Sequence, residues 1–198
     1  MAVTAESGVV EGARRGQIID SAIQLIAEQG LARTSLSRIA EKAGISKAAV
    51  LYHFKNKDEL LDEVLARVLG GLVTQVGARV DAAETPRDAV FAYLRAMIGH
   101  LTANPDHVRV ITEAMAIAEL AGHNAVRADP SRWKALADLL AAAQSAGQMR
   151  EFDTKTVALV IGGAIDGLVG QWIAETDFDL TAAAAELETF IRRATDVR

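Results

Sequence analysis

The side chains best suited to chemistry lie between positions 34 and 57, and the chemistry they favour is recognition of a nucleic acid. Lys47 can donate hydrogen bonds to guanine O6 or N7 in a major groove, and the methyl groups of Ala48 and Ala49 can pack on thymine methyls. Side chains suited to phosphate contacts flank this run: Thr34, Ser35, Tyr52, His53 and Lys57. For His53 the alternative is a surface imidazole without a binding role.

Two short helices joined by a glycine turn would position these side chains. The helix-turn-helix spacing is carried by Leu36, Ala40, Gly44 and Val50. Gly44 follows the first helix where the backbone must adopt a positive φ, and Ser46 fits as N-cap of the second helix. The second helix would then offer its N-terminal turn to a DNA groove. Ordinary helical bundles also use glycine between helices, which is the alternative interpretation.

The charge distribution agrees with a DNA-binding N-terminal part. Residues 14–57 contain eight Lys or Arg and three acids, a net charge of +5, whereas the whole chain is at −5. A compact basic region on an acidic protein is typical of a surface that gains affinity by releasing phosphate counterions. Basic runs are also often plain solvated faces.

This segment resembles the TetR family of bacterial transcriptional repressors. The resemblance is carried by Thr34, Ser35, Ile39, Ala40, Ala43, Gly44, Ile45, Ser46, His53, Phe54, Lys57, Asp58 and Leu60. It continues more weakly in AGQMREFD and AIDGLVGQWI. The resemblance implies a repressor that binds double-stranded operator DNA as a homodimer and is released by a small-molecule inducer. Two positions depart from the family pattern: Leu51 stands where an aromatic is common, and Arg38 where an acid would complete a capping box.

The whole chain is predicted to be all-α, because it has three prolines and no sustained strand-type alternation. After a disordered arm at 1–13, an amphipathic helix over 14–29 would cover the motif helices and complete a three-helix DNA-binding domain at 14–57. Residues 58–198 would form a helical ligand-binding and dimerisation domain. Its helices are predicted over 58–81, from Pro86 to Asn104, and over 106–122, 131–146, 154–174 and 180–195.

A glycine face marks the helix predicted at 154–174. Gly163, Gly167 and Gly170 lie at i, i+4 and i+7, and each glycine costs helix stability about 1 kcal/mol, which implies a close-packed neighbour. The next helix offers matching side chains: Leu187, Phe190, Ile191 and Ala194. Two such helices from each of two subunits would make a four-helix interface, which is also how the family dimerises. Packing within one subunit is the alternative.

The resemblance also places an inducer pocket in the C-terminal domain. Bulky, adaptable or polar residues could line it: Tyr93, Met97, His100, Met115, Glu119, Trp133 and Trp172. Methionine and aromatic residues at helical spacing also serve as ordinary core, so each of these residues has that alternative.

Other function classes find little support in the sequence. A nucleophile elbow, a phosphate-cradling glycine loop and paired histidines are all missing, so no enzyme and no cofactor are expected. Glu119 and His123 could begin a metal site but have no third ligand nearby. Zero cysteines, no signal-peptide pattern and no apolar run of about 18 residues favour a cytoplasmic protein with no membrane partner. The alternative function is a helical carrier or sensor of small molecules without specific DNA binding.

Overall fold

The structure is a computed structural model that describes the backbone of residues 2–120 and 133–197 and the side chains of residues 11–117 and 133–197. All regular elements in these residues are helical, as predicted. They are α1 (Ala2–Gln29), a 3₁₀ turn (Leu31–Arg33), α2 (Leu36–Lys42), α3 (Lys47–His53), α4 (Lys57–Asp81), α5 (Pro86–Ala103), α6 (Pro105–Leu120), α7 (Lys134–Ser145), α8 (Thr154–Ala174) and α9 (Leu180–Thr195).

The described chain forms two compact units. The first comprises residues 2–71 and 104–120, and the second comprises 72–103 and 133–197. The predicted boundary after Lys57 therefore differs from the observed division, because the first half of α4 belongs to the N-terminal unit. The reason is that Leu60 and Val64 of α4 are buried in the core of that unit.

The first unit closes around one apolar cluster. One face of α1 contributes Ile18, Ala22 and Ile26, each at most 2% exposed. The other members come from the motif helices, α4 and α6, and include Ile39, Ala40, Val50, Phe54, Leu60, Val64 and Val110. The prediction that an amphipathic α1 covers the motif helices is therefore confirmed. Burial of this apolar surface is the main force that holds the unit together.

The turn between α2 and α3 has the geometry that its residues predict. Gly44 has a φ of 66°, and the Ile45 N–H donates to the Ala40 carbonyl at 3.0 Å, which closes the left-handed end of α2. Ser46 then caps α3, because its hydroxyl accepts from the Ala49 N–H at 3.1 Å. The positive-φ glycine and the N-cap serine are both confirmed.

The second unit packs α5 against α7 and α9, and packs α8 against the same two helices. Phe91, Leu136 and Leu140 are fully buried between these elements. Asp153 and Asp179 are the N-caps of α8 and α9, and their carboxylates accept hydrogen bonds from N–H groups of the first turn. Both helices therefore have the bounds predicted from the sequence.

The N-terminus differs from the predicted disordered arm at 1–13. The helix begins at Ala2 rather than at residue 14. Residues 2–13 contain no proline, and isolated glycines cost a helix only about 1 kcal/mol each, so the segment can extend α1. The predictions for 106–122 and 131–146 agree with α6 and α7 as far as those helices are described, and residues 121–132 lie outside the described part.

α8 has the length and composition of a membrane-spanning helix, with a mean hydropathy of 1.6. Glycines and Asp166 interrupt the apolar run of this helix in the sequence. Interface and core helices of water-soluble proteins pass the same test, so one such helix is weak evidence of a membrane span. Only 28% of the stretch is buried within the unit, so much of its apolar surface has no cover from the described chain.

Candidate nucleic-acid interface

α3 is anchored along one side and open to solvent along the other. Lys47 and Ala48 are exposed, and Tyr52 is 77% exposed. On the opposite side, Val50 and the C-cap residue Phe54 are completely buried in the core. A helix held this way can enter a major groove with its N-terminal turn leading, which is the arrangement that helix-turn-helix proteins use.

The cations of residues 14–57 divide into paired and unpaired groups. Lys42 pairs with Glu28 at 2.7 Å, and Arg15 pairs with Glu63 at 3.0 Å. The exposed cations that form no ion pair with another described residue are Arg14, Arg33, Arg38, Lys47 and Lys55. The net charge of +5 counts every cation and acid of this segment equally. The structure shows that these five cations are the ones left available to DNA phosphates.

The hydroxyls predicted to contact phosphate have internal partners. Thr34 is 2% exposed, and its hydroxyl donates to the Gly30 carbonyl at 2.9 Å, so in this structure the side chain faces inward and not toward a phosphate. A buried hydroxyl without a hydrogen bond would cost free energy, and the bond to Gly30 avoids that cost. Ser35 is exposed and caps α2 by accepting from the Arg38 N–H at 3.4 Å. Ser35 remains at the surface near the positive end of α2.

Lys57 also has a structural partner that the sequence did not indicate. Its ammonium donates to the Leu31 carbonyl at 3.1 Å, which joins the start of α4 to the 3₁₀ turn. The N–H of the same residue, Leu31, donates to the Glu113 carboxylate at 3.2 Å. Arg109, on the same helix as Glu113, donates to the Ala27 carbonyl at 3.0 Å. The turn that leads into the motif is thus held by α4 and α6.

Arg15 is a second anchor that sequence reasoning missed. Its guanidinium donates to the His53 carbonyl at 2.7 Å and lies 4.3 Å from the centre of the Phe54 ring. The half-buried His53 ring meets Tyr52 edge-to-face, with centroids 5.1 Å apart. These contacts fix the C-terminal end of α3 and keep its two aromatic side chains together.

The predicted ligand-pocket residues are distributed over both units. Tyr93, His100 and Trp133 are buried, and Met97 and Trp172 are half-buried in the same unit. Half-buried Met115 belongs to the other unit, and the side chain of Glu119 lies outside the described residues.

Two of these buried side chains have packing roles. The Nδ1 atom of His100 lies 2.5 Å from the Gln75 amide oxygen. The Trp133 indole packs on the backbone of Gly162. Both residues are buried within the second unit.

A cavity of about 280 Å³ lies elsewhere, between α5, α8 and α9. It is lined by Leu94, Arg95, Ile98, Gly99, Thr102, Ile165, Thr181, Ala184, Ala185, Leu187 and Glu188. The cavity uses the face of α5 that carries Leu94 and Ile98, not the face that carries Tyr93 and Met97. The family resemblance and the residue types placed pocket residues on α5, but they did not indicate which face of the helix borders a cavity.

Four of the predicted dimer residues, Gly163, Gly167, Gly170 and Phe190, lie on a face that the described residues of the second unit leave open. A Cβ added at any of the three glycines would meet no atom of another described element within 4 Å. Phe190 on α9 is 67% exposed and Val160 on α8 is 62% exposed. The remaining predicted residues are less accessible: Leu187 and Ala194 are half-buried, and Ile191 is 3% exposed.

The described side chains contain no group of three His, Asp or Glu residues placed to hold a metal ion. The Glu119 and His123 side chains considered in the sequence analysis lie outside the described residues.

Sequence comparison relates the N-terminal part of this chain to a known family. Residues 18–64 match the family model described as bacterial regulatory proteins, tetR family. The HTH-type transcriptional regulator BetI of Rhizobium meliloti (strain 1021) is 36% identical over 86 residues, which are 43% of this chain and 42% of the relative. The HTH-type transcriptional regulator AcrR of Shigella flexneri is 28% identical over 187 residues, which cover 87% of this chain and 84% of the relative.

Solved structures extend the likeness in fold to more than 90% of the chain. SmeT, the repressor of the Stenotrophomonas maltophilia multidrug efflux pump SmeDEF, superposes with a TM-score of 0.74 at 25% identity over 92% of this chain and 90% of its own. A putative transcriptional regulator from Saccharomonospora viridis in complex with choline gives a TM-score of 0.83 at 21% identity, covering 94% of this chain and all 100% of that one.

Two short helices, α2 and α3, joined by the turn at Gly44, with α3 open to solvent along one side, have the arrangement of the helix-turn-helix class of DNA-binding proteins. Residues 18–64 match the DNA-binding region of the TetR family of bacterial regulatory proteins, and the chain is similar along most of its length to regulators such as AcrR and SmeT. Its matches to three BetI proteins span only 42%, 43% and 44% of those relatives. The strongest sequence likeness is therefore in the DNA-binding part, and the relatives are transcriptional regulators rather than enzymes.

Proposed function

We propose that this protein is a ligand-responsive transcriptional repressor that binds near-palindromic operator DNA as a homodimer and releases it when a small-molecule inducer binds. The observation that carries the proposal is α3, which presents Lys47, Ala48 and Tyr52 to solvent while Val50 and Phe54 anchor it from below. The alternative of a carrier without DNA function is not favoured, because the family match lies on the helix-turn-helix itself.

Contacts to DNA are assigned from exposure and charge. Lys47, Ala48 and Ala49 stand at the N-terminal end of α3 and would meet base edges in the major groove. Phosphates would be met by the unpaired cations Arg38 and Lys55, together with the side chains of Tyr52 and His53 and the surface serines Ser35 and Ser46.

The uncovered face of α8 and α9 supports the homodimer. Glycine in a helix interior costs stability, and a close-packed neighbour is one reason to keep it there. The described part of the second unit supplies no such neighbour at Gly163, Gly167 or Gly170. A large apolar helix surface that stays open is typical of an interface. Two copies related by a twofold axis would place two recognition helices on successive half-sites of a palindrome.

Release by an inducer needs only a modest preference between conformers. A hundredfold loss of DNA affinity corresponds to about 2.7 kcal/mol of differential ligand binding. A ligand held more tightly by a conformer whose recognition helices no longer match successive grooves would supply that difference.

Selection of bound fragments from random double-stranded DNA, with the purified full-length protein, tests the proposal. We expect an inverted repeat whose half-sites are about one helical turn apart. Enrichment without a common sequence, together with retention that disappears steeply with salt, would overturn the proposal in favour of non-specific binding. A single, non-repeated half-site would retain DNA recognition but refute the homodimer.

A further inference from the structure

We infer that the cavity between α5, α8 and α9 is a binding site for a small monoanionic amphiphile, whose apolar part fills the cavity and whose carboxylate binds Arg95. The inference rests on the proposed function only in that it names the chemical class of an inducer. Its first test needs no DNA.

The cavity walls favour a small apolar group. Leu94, Ile98, Ile165, Ala184 and Leu187 contribute hydrocarbon surface from all three helices. The volume of about 280 Å³ lies just below the ~300–1,000 Å³ of ordinary ligand pockets, so the occupant must be small. Two charged side chains, Arg95 and Glu188, complete the lining.

The hydrogen bonds of Glu188 decide the sign of the ligand charge. Its carboxylate accepts from Arg95 Nε at 2.9 Å and Nη2 at 3.2 Å, and from Arg192 Nε at 2.9 Å and Nη2 at 2.7 Å. Two guanidinium groups therefore share one carboxylate, and the trio carries an excess of one positive charge. A cationic ligand would have to compete with both arginines for an acceptor that four donors already occupy.

Of the two arginines, Arg95 is the one that a ligand can reach. Its side chain is 60% exposed, whereas that of Arg192 is 36% exposed. Its Nη1 group donates to no other described residue, so it can donate to an incoming carboxylate without releasing Glu188. Arg192, by contrast, is stacked 3.7 Å from the centre of the Phe91 ring and does not line the cavity.

The acids near Arg95 on its other side do not belong to this site. Glu84 and Asp88 line a separate cleft that Arg95 also borders, together with Arg79. The Asp88 carboxylate is already bonded to the Thr85 hydroxyl at 2.6 Å. A monoanion in the cavity therefore meets Arg95 as its charged partner, through a charge-assisted hydrogen bond.

Isothermal titration calorimetry of the full-length protein tests the site with three probes of one chain length: sodium octanoate, 1-octanol and octylammonium chloride. We expect saturable binding of octanoate, and binding of 1-octanol weaker by at least about tenfold, because a hydrogen bond to a charged group is worth that much or more. Octylammonium should not bind. Octylammonium binding more tightly than octanoate, or no saturable octanoate binding, would overturn the inference.

Three variants locate the binding. Arg95→Gln should weaken octanoate at least about tenfold while leaving 1-octanol unchanged. Arg79→Gln, which removes an exposed guanidinium from the neighbouring cleft, should change neither. Ala184→Leu should abolish both by filling the cavity, and the thermal midpoint of each variant reports whether it has folded. Equal octanoate affinity in the wild type and the folded Arg95→Gln variant would refute the assigned carboxylate contact. Failure of this site appears in calorimetry without DNA, whereas failure of the repressor function appears in the DNA selection.

Discussion

Trp133 lies against the backbone of Gly162 so closely that a Cβ at position 162 would overlap its indole ring. The side chain of Trp133 is 6% exposed, and Gly162 is buried on the inner face of α8. Gly162 is therefore present for a close approach between two helices and not for a turn. The contact makes Trp133, which the sequence analysis placed in a ligand pocket, part of the packing between α7 and α8.

Substitution of Gly162 by alanine should destabilise the protein. The added methyl group must displace a buried indole, and overpacking of this kind costs about 1–3 kcal/mol. Gly77→Ala on α4 is the matched control, since a Cβ there meets no atom of another described element within 4 Å and alanine favours a helix by up to ~1 kcal/mol. Urea unfolding at one fixed protein concentration measures both. Similar midpoints for the two variants would contradict the close contact.

The parts of the fold that the sequence predicts are those set by local signals. Gly44 and Ser46 act within a few residues of themselves, so their roles follow from spacing alone. The bounds of α8 and α9 follow in the same way from Asp153 and Asp179, whose carboxylates bond to the N–H groups next in the chain. Burial of the apolar face of α1 follows from its helical period.

The contacts that the sequence could not predict join residues far apart along the chain. Glu113 and Leu31 are 82 positions apart, and neither segment has a sequence pattern that predicts their hydrogen bond. The residue type and position of Lys57 suggest a phosphate contact, but in the structure its ammonium donates to the Leu31 carbonyl. Whether a cation faces DNA or a backbone carbonyl depends on three-dimensional proximity.

Lys47→Ala should weaken specific DNA binding while leaving stability unchanged. Lys47 is exposed and forms no ion pair with another described residue, so its loss removes a base contact and little else. We expect a cost of about 1–3 kcal/mol in binding to the selected operator. Lys134→Ala, which removes an exposed lysine paired with Asp138 on α7, serves as control and should bind like the wild type. Unchanged affinity of the Lys47 variant in a gel-shift titration would refute the placement of α3 in the groove.

The salt dependence of DNA binding should separate Lys55 from Lys57. A lysine that contacts phosphate adds about 0.9 to the slope of log affinity against log salt concentration. Lys55→Gln should therefore reduce the slope by about that amount for each subunit bound. Lys57→Gln should leave the slope unchanged but lower the unfolding midpoint, because it removes the ammonium that holds the Leu31 carbonyl. A reduced slope for Lys57→Gln with an unchanged slope for Lys55→Gln would show that Lys57 gives up its bond to Leu31 and binds phosphate in the complex.

Gly167→Glu should convert a dimer into monomers. The glycine lies in the middle of the open face of α8, where a charged side chain would be buried against the same residue of a second copy across a twofold axis. Gly70→Glu on α4 is the matched control, as it is also an exposed helix glycine with open space around it. Sedimentation equilibrium should give a dimer for the wild type and control and a monomer for Gly167→Glu. A dimeric Gly167 variant would move the interface away from this face.

Glu188 should give the second unit an acid-sensitive contribution to stability. Burial by itself raises the pKa of Glu188, but hydrogen bonds from Arg95 and Arg192 outweigh it and hold the pKa below its usual 4.5. A carboxyl group with a depressed pKa stabilises the folded state above its unfolded pKa, and this contribution is lost as the pH falls through the folded pKa. The wild type should therefore exceed Glu188→Gln in unfolding free energy near neutral pH, and the difference should shrink only below the usual value of 4.5.

Urea unfolding of the wild type and Glu188→Gln over a series of pH values measures that difference directly. Glu186→Gln, which removes an exposed carboxylate from the same helix, should follow the wild-type pH dependence. Because Glu188 is partly exposed, added salt should reduce the difference without removing it. A gap between wild type and Glu188→Gln that stays constant down to strongly acidic pH would mean that the two arginines stabilise the fold through packing on α5 and α9 and not through their shared carboxylate.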